Sequence, residues 1–380
     1  MHNARRLIGI LLFTPLLFSC TTREASDYAS SYARNQLSKQ TGSASQVIAA
    51  GRDYQKDLIG FEALVRLLAK EARVNWGDEK HATRKEYVKY TNNYRTRVFV
   101  DFDKGKVHVE TLDRKDLHHA IVLTLLTPNE PEAVDLFGTR DVPLGGEPVL
   151  YGQVLDHEKQ PIRWHWRADR YADYLIAKRL SQKWSKRGTV YAVDFDLIRD
   201  HLQKRQYQYA SLVRQYARRY RVDESLVYAI IRTESSFNPY AVSSSNAYGL
   251  MQIIPKTAGK DVFTRIKNRS DQPSKHYLFK PHNNIDTGTA YIHLLETHYL
   301  KGIRDPLSRK YTIISAYNGG AGNMFATFDR DRGRAVDKIN QLKPSQVYWA
   351  LTKRHPRAES RRYLEKVTTA QRDFMAGNVL

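Results

Sequence analysis

The sequence predicts an α+β protein, in which an N-terminal α+β module is followed by an all-α domain. Residues 95–112 alternate between apolar and polar side chains, as β-strands do, whereas apolar residues from Leu212 onward recur at helical spacing. The 380 residues exceed the usual length for one hydrophobic core, and 41% of them are hydrophobic, which is enough for two cores. We therefore expect an N-terminal domain over residues 51–200 and a C-terminal domain over residues 201–380.

Positive charge is concentrated in the second half of the chain. Residues 201–380 contain 30 Lys and Arg against 14 Asp and Glu, so they carry +16 of the formal net charge of +21. Such a basic surface attracts nucleic acid, anionic lipid or an acidic polymer, and charge alone does not choose among these partners.

The first twenty residues have the pattern of a secretory signal. Arginines at positions 5 and 6 precede an apolar run over residues 7–18, which is shorter than the roughly 20 residues of a membrane span. Cys20 follows and is the only cysteine, which excludes an intramolecular disulfide. The arrangement resembles a bacterial lipoprotein signal, which implies that residues 1–19 are a signal peptide and that Cys20 is lipidated.

The lipoprotein resemblance also implies a location. Thr21, rather than an Asp, follows the cysteine, which in lipoproteins of this kind permits transfer to the outer membrane. We expect a lipid anchor at Cys20 on the periplasmic face of the outer membrane, with residues 20–50 as lipidated N-terminus and tether. The alternative is an uncleaved anchor with a buried cysteine.

The N-terminal domain is predicted to combine one small sheet with helices. The alternating pattern of residues 95–112 breaks at Asp103-Lys104-Gly105, which predicts a β-hairpin. The other predicted elements are a helix over 54–73, a helix over 117–126, a loop over 128–146, a helix over 171–184 and a strand over 189–195.

The histidines of the N-terminal domain do not have the spacing of a metal site, so we predict no metal. They are His108, His118, His119, His157 and His165. Trp164 and Trp166 form an aromatic pair, for which packing is favoured over sugar binding.

Glu234 is the main catalytic candidate of the C-terminal domain. Apolar residues four and eight positions before it share its helical stripe, Asp223 is a predicted N-cap, and Pro239 stops the helix. A carboxyl near a helix C-terminus and among apolar neighbours resists ionisation, so its pKa should be raised into the range of a general acid. The alternative is an exposed glutamate on an amphipathic helix.

Four short motifs follow one another in the C-terminal domain. They are Glu234-Ser235, Gly249-Leu250-Met251-Gln252, Ala316-Tyr317-Asn318 and the late Tyr363. In this order they resemble the soluble-lytic-transglycosylase family over about residues 205–375. The resemblance implies that the all-α domain is catalytic and has a goose-type-lysozyme-like fold.

The resemblance implies a reaction as well. It implies cleavage of the β-1,4 bond between N-acetylmuramic acid and N-acetylglucosamine in peptidoglycan during cell-wall turnover, without water and with a 1,6-anhydromuramoyl product. Glu234 would act first as acid and then as base, while the 2-acetamido group of the substrate replaces the second carboxylate of other glycosidases. The implied partners are murein glycan strands and the membrane, with no metal, no organic cofactor and, because the chain is exported, no nucleic acid.

Further site residues are implied by the same motifs. Ser243 would orient the acetamido group, although the adjacent Ser244 and Ser245 leave this register open. Gln252 would bond sugar hydroxyls or acetamido groups. The remaining implied residues are Tyr317 and Tyr363, which would flank the Glu carboxyl, and Asn318, which would position substrate or hold the helix end.

Two other functions stay open at this point. Asp261 or Asp286 could supply a second carboxylate, which would favour a lysozyme-like hydrolase, and a non-catalytic murein-binding lipoprotein is the other alternative. Tyr248, before the Gly-Leu-Met-Gln motif, could narrow the groove, so endo and exo cleavage are not distinguished. The oligomeric state is not predicted.

Overall fold

A computed structural model describes residues 70–377 of the chain. The predicted signal peptide, Cys20, the tether and nearly all of the predicted helix over 54–73 lie outside these residues. From Glu71 onward the chain forms one compact unit. Within the described range, every helix is too short or too polar to cross a membrane.

A five-stranded antiparallel sheet forms the centre of the N-terminal domain. Its strands are β1 (Glu86–Thr91), β2 (Thr96–Asp101), β3 (Lys106–Thr111), β4 (Ser181–Ser185) and β5 (Gly188–Asp196), in the spatial order β1-β2-β3-β5-β4. β2 and β3 confirm the predicted hairpin, with Val98 opposite Val109 and Val100 opposite Val107. β5 confirms the predicted strand over 189–195.

The sequence pattern does not predict β1, because a lysine occupies an inward position. Lys89 is only 2% exposed. Its Nζ donates hydrogen bonds to the backbone carbonyls of Asp135, at 2.8 Å, and Gly138, at 2.7 Å. A satisfied buried cation of this kind breaks the apolar alternation on which strand prediction depends.

The prediction of a helix over 171–184 is wrong at its C-terminal end. The helix α2 (His165–Arg179) stops at Arg179, and β4 follows directly as an edge strand paired with β5. β4 is mostly exposed, and Trp184 is 78% exposed. An edge strand without a buried face has no alternating pattern to recognise.

Within residues 70–377, two helices cover the sheet, as expected of an α+β module. The helix α1 (Leu117–Leu125) confirms the prediction for 117–126, and it packs against α2 and β3. Ile121 of α1, Leu175 of α2 and Val109 of β3 are all fully buried.

The C-terminal domain is all-helical, as predicted. Its helices are α3 (His201–Gln208), α4 (Ala210–Tyr220), α5 (Glu224–Ser235), α6 (Lys260–Arg265), α7 (Lys275–Phe279), α8 (Pro281–Leu294), α9 (Pro306–Gly319), α10 (Ala321–Ala326), α11 (Arg332–Gln341), α12 (Pro344–Lys353) and α13 (Ala358–Met375). α5 packs mainly against α13 and also against α4. Val227, Ile230 and Ile231 of α5 are fully buried.

Both ends of α5 are defined by local interactions. Asp223 confirms the predicted N-cap, because its Oδ1 accepts a hydrogen bond from the backbone N of Ser225 at 2.8 Å. The helix ends before the predicted Pro239 stop, because Ser236 adopts the left-handed conformation at φ 51° and Phe237 follows at φ 59°. Glu234 therefore lies in the last turn.

The C-terminal end of α5 is attached to the N-terminal domain through two side chains. Arg205 is fully buried, and its Nε donates to the carbonyl of Ser236 at 3.1 Å, while its other nitrogens reach Gln153 and the carbonyl of Phe102. Asp103, in the β2–β3 turn, accepts from Ser236 Oγ at 2.7 Å. The position of the last turn of α5 thus depends on the sheet.

Candidate active site

The Glu234 carboxyl is buried in the last turn of α5, with 4% of the residue exposed. Burial raises the pKa of Glu234 to about 7, against the opposing effects of the Tyr363 hydroxyl and the Arg84 guanidinium. This confirms the expected rise in pKa and rejects the exposed-glutamate alternative. A carboxyl with this pKa can donate a proton near neutral pH and can take one back.

Arg84 connects Glu234 to a second carboxylate. Its Nη1 lies 3.5 Å from Glu234 Oε2, and its Nη2 lies 3.1 Å from Glu359 Oε1 on α13. The Glu359 side chain is 47% exposed, whereas that of Glu234 is 5% exposed. One guanidinium is therefore shared between a buried acid and a solvated one.

A cleft of about 590 Å³ opens beside this pair. One wall comes from the N-terminal domain and includes Arg84 and Asp103, while the other comes from α5 and α13 and includes Thr233, Glu359 and Tyr363. Both domains thus contribute to the cavity, and its lining includes Arg84, Glu359 and Tyr363, three side chains that interact with Glu234.

The Gly-Leu-Met-Gln motif forms a tight loop that is fixed against α5 and α8. Ser235 Oγ donates to the carbonyl of Leu250 at 2.8 Å, so Ser235 attaches this loop to the end of α5. Asn284 accepts from the backbone N of Met251 at 2.7 Å and donates to the carbonyl of Tyr248 at 2.7 Å. Gly249 adopts φ +73°, which lets the backbone approach Asn284 closely.

One polar atom of the Gln252 side chain has no hydrogen-bond partner among the described residues. Its Nε2 donates to the backbone carbonyls of Gly249, at 3.0 Å, and Ala241, at 3.2 Å. Its Oε1 is buried and has no hydrogen-bond partner among the described residues. Gln252 can therefore only accept a hydrogen bond from a ligand, whereas the sequence suggests both a donor and an acceptor.

The serine candidates lie in the loop that precedes this motif. Ser243 Oγ accepts from the backbone N of Ser245, at 3.2 Å, and of Ala247, at 3.1 Å, so its hydroxyl proton is still available to a ligand. Ser244 and Ser245 are exposed.

The two tyrosines contact the site differently. Tyr363 is 3% exposed, and burial and the nearby Glu234 raise the pKa of its hydroxyl well above its ordinary value. The Tyr317 hydroxyl donates to the carbonyl of Met251 at 2.8 Å and thereby attaches α9 to the Gly-Leu-Met-Gln loop. Its pKa is also raised by burial and by Glu234.

Asn318 connects α9 to α13. Its Oδ1 accepts from Ser360 Oγ at 2.7 Å, and Ser360 is fully buried. This contact holds the end of α9, which is one of the two roles predicted for Asn318, and the positioning of substrate stays a prediction.

Two protein-family models match the chain. Residues 54–208 match the N-terminal domain of membrane-bound lytic murein transglycosylase C, and residues 211–340 match the transglycosylase SLT domain. The membrane-bound lytic murein transglycosylase C of Photorhabdus laumondii is 44% identical over 377 residues, which cover 97% of this chain and 99% of that protein. The chain belongs to the membrane-bound lytic murein transglycosylase C family.

Other members and a solved structure are also similar. The membrane-bound lytic murein transglycosylase C of Yersinia enterocolitica is 43% identical over 377 residues, covering 97% of this chain and 99% of that protein. The 70 kDa soluble lytic transglycosylase of Escherichia coli is 25% identical with a TM-score of 0.35; the match covers 47% of this chain and 26% of that one, so the chain spans about a quarter of its length.

Neither aspartate considered as a second carboxylate lines the cleft in this member of the membrane-bound lytic murein transglycosylase C family. Asp286 forms an ion pair with Lys267 and accepts from Tyr220 Oη at 2.7 Å. Asp261 accepts from Tyr299 Oη at 2.6 Å, and Arg265 also contacts it. Both carboxylates serve local ion-pair networks.

The Tyr248 side chain is buried and packed, so it is not a free side chain at the groove. It is 6% exposed and packs edge-on against Phe279, with ring centroids 5.5 Å apart.

Over residues 70–377, the His, Cys, Asp and Glu side chains do not form a group of three or more that could hold a metal ion.

Arg84 and Glu359 are not among the site residues that the sequence of this family member predicts. Glu359 had a usable signal, since it lies four residues before Tyr363 and so shares its face of α13. Arg84 had none, because it lies 150 residues before Glu234 in a polar segment.

Proposed function

We propose that this protein is a peptidoglycan lytic transglycosylase that cleaves the β-1,4 bond between N-acetylmuramic acid and N-acetylglucosamine and forms a 1,6-anhydromuramoyl product. One observation carries the proposal: Glu234 has a buried carboxyl with a pKa of about 7, and Arg84 and Tyr363, which interact with this carboxyl, line the cleft. A carboxyl with this pKa is protonated in part of the molecules near neutral pH and can donate the first proton, and the carboxylate that remains is basic enough to take a proton in the second step.

In the first step Glu234 donates its proton to the glycosidic oxygen, and the bond from that oxygen to the muramoyl C1 breaks. The carbonyl oxygen of the muramoyl 2-acetamido group attacks C1 and forms an oxazolinium ring. Glu234 is then a carboxylate, and the Tyr363 hydroxyl and Arg84 stabilise it, in keeping with their lowering of its pKa.

In the second step the muramoyl C6 hydroxyl attacks C1 and reopens the oxazolinium ring. Its proton passes to Glu234, which restores the acid, and the 1,6-anhydro ring closes without consuming water. The free Oε1 of Gln252 suits a substrate N–H or O–H donor, and the Ser243 hydroxyl proton suits a carbonyl oxygen such as that of the acetamido group.

Mass spectrometry of the muropeptides released from purified murein sacculi tests this function. We expect 1,6-anhydro products, which are lighter by one water than the hydrolytic products. Release of reducing ends alone would contradict the proposal and establish a hydrolase, and the absence of any product would leave a binding protein.

The hydrolase alternative has one specific observation in its favour. Glu359 brings a second carboxylate to the cleft, and two carboxylates are what most glycosidases use. Because Glu359 is paired with Arg84 and half exposed, we assign it to tuning Glu234 and not to activating water.

We further propose that Cys20 carries the lipid that places the protein on the periplasmic face of the outer membrane. Cells that express the protein with radioactive palmitate should yield a labelled protein in the outer-membrane fraction. Cys20→Ser should abolish the label and release the protein from that fraction, since one residue provides the attachment. A labelled Cys20→Ser variant would disprove the anchor.

A further inference from the structure

Arg84 reaches the acid of the C-terminal domain from the segment that precedes β1. Its guanidinium lies between two carboxylates, with Nη1 3.5 Å from Glu234 Oε2 and Nη2 3.1 Å from Glu359 Oε1. A cation at this range favours the ionised form of Glu234. The Glu234 side chain is 5% exposed, so little water screens the charge of Arg84 from its carboxyl. The Glu359 side chain is 47% exposed, and water screens the charge there.

The backbone around Arg84 is held by the loop that follows α5. The backbone N of Val242 donates to the carbonyl of Thr83 at 3.3 Å, and Asn238 Nδ2 lies 3.4 Å from the carbonyl of Arg84. Asn238 is fully buried. The backbone of Arg84 is therefore attached to the same loop that ends the helix of Glu234, and the contacts with the two carboxylates place the guanidinium between them.

Glu359 limits the effect of the Arg84 charge on the ionisation of Glu234. It takes the shorter of the two contacts with the guanidinium, and its own negative charge acts on Glu234 in the opposite direction. Without Glu359, Arg84 would be free to pair with Glu234 alone, which would favour the ionised form of that acid.

We propose that Arg84 and Glu359 form a positioning pair that sets the pH range in which Glu234 can act, and that supplying Arg84 is a function of the N-terminal domain. In this inference, which rests on the proposed function, Arg84 stabilises the carboxylate left after proton donation. Glu359 pairs with the same guanidinium and weakens its effect on Glu234, so that the acid is protonated in the free enzyme when substrate binds.

Other charged or titratable groups near Glu234 stay constant in the test. Tyr363 on α13 and Tyr317 on α9 interact with the carboxyl. Arg232, on α5 itself, is occupied by Asp103 at 2.6 Å. The remaining charged side chains that line the cleft are Lys85, Glu86, Asp101, Lys104, Arg362 and Lys366.

The experiment compares pH–rate profiles of Arg84→Gln, Glu359→Gln and the double variant, measured as release of anhydromuropeptides from sacculi. In Arg84→Gln the carboxylate loses its cation, so the alkaline limb of the profile should move up by about one pH unit. In Glu359→Gln the limb should move down, because a negative charge is lost and Arg84 is released to Glu234. The double variant should lie near the wild type.

Two controls separate charge from general damage. Arg84→Lys keeps the cation and should bring the limb back toward the wild-type position. Lys106→Gln removes a cation from the same domain that pairs with Asp196 at 2.6 Å, and it should leave the limb unchanged. Unshifted limbs in both single variants, or shifts in the same direction, would refute the pair.

A second measurement does not require turnover. The ¹³C chemical shift of the Glu234 carboxyl, assigned by its loss in Glu234→Gln, should titrate at higher pH in Arg84→Gln and at lower pH in Glu359→Gln. A wild type that releases no anhydro product would refute the proposed function, whereas unchanged titrations in these two variants would refute the pair.

Discussion

Glu234→Gln should lower the rate at which anhydromuropeptides are released by about 10²–10⁴-fold. The amide has nearly the same shape as the carboxyl but can neither donate the proton of the first step nor accept that of the second. Both steps use this one group, so both should fail together. The measurement is the initial rate of product release from sacculi, with murein binding followed separately by co-sedimentation.

Glu224→Gln is the matched control for this experiment. It makes the same change on the same helix, at an acid whose side chain is 37% exposed and lies 3.8 Å from Arg214. We expect its turnover to equal that of the wild type. If Glu234→Gln kept its turnover, or if it lost binding along with turnover, Glu234 would not be the acid described above.

Gly249→Ala should lower the free energy of unfolding by roughly 2–5 kcal/mol and reduce activity as well. Gly249 has φ +73°, and a Cβ there would lie 2.4 Å from Asn284 Nδ2 and 2.7 Å from the carbonyl O of Leu278. Asn284 fixes the loop that carries Gln252, so the collision disturbs the site together with the fold. Chemical denaturation and the rate of product release check the two effects.

Gly322→Ala provides the comparison for stability. Gly322 lies in α10, and a Cβ there would meet no atom within 4 Å. Alanine favours helix over glycine, so this variant should be neutral or gain about 0.5–1 kcal/mol. Equal stability of the Gly249→Ala and Gly322→Ala variants would show that the loop yields to the added methyl.

Elements with a repeating pattern and one buried face could be predicted from sequence. Two such elements are the β2–β3 hairpin and the α5 helix of Glu234. Once this helix was predicted, the Asp223 cap and the raised pKa of Glu234 followed from it. β1 and β4 could not be predicted. The buried Lys89 breaks the alternation of apolar and polar residues in β1, and β4 lies exposed at the edge of the sheet.

For the candidate site residues, the sequence predicts the identity of a residue but not its hydrogen-bond partners. Gln252 could be identified from its motif, but not that its amide donors are already bound to the carbonyls of Gly249 and Ala241. Hydrogen-bond partners of this sort are set by how the loop folds back on itself, which residue types alone do not specify.

The sequence by itself determined an acid at the end of an apolar helical face and, through four ordered motifs, the family to which it belongs. Only the tertiary structure decided which charges surround that acid. Arg84 and Glu359 come from segments 150 residues before it and 125 residues after it, and they meet because the sheet docks against the end of α5 while α13 packs along it. Local patterns encode helices and strands, whereas electrostatic partners depend on distances that exist only once the chain has folded.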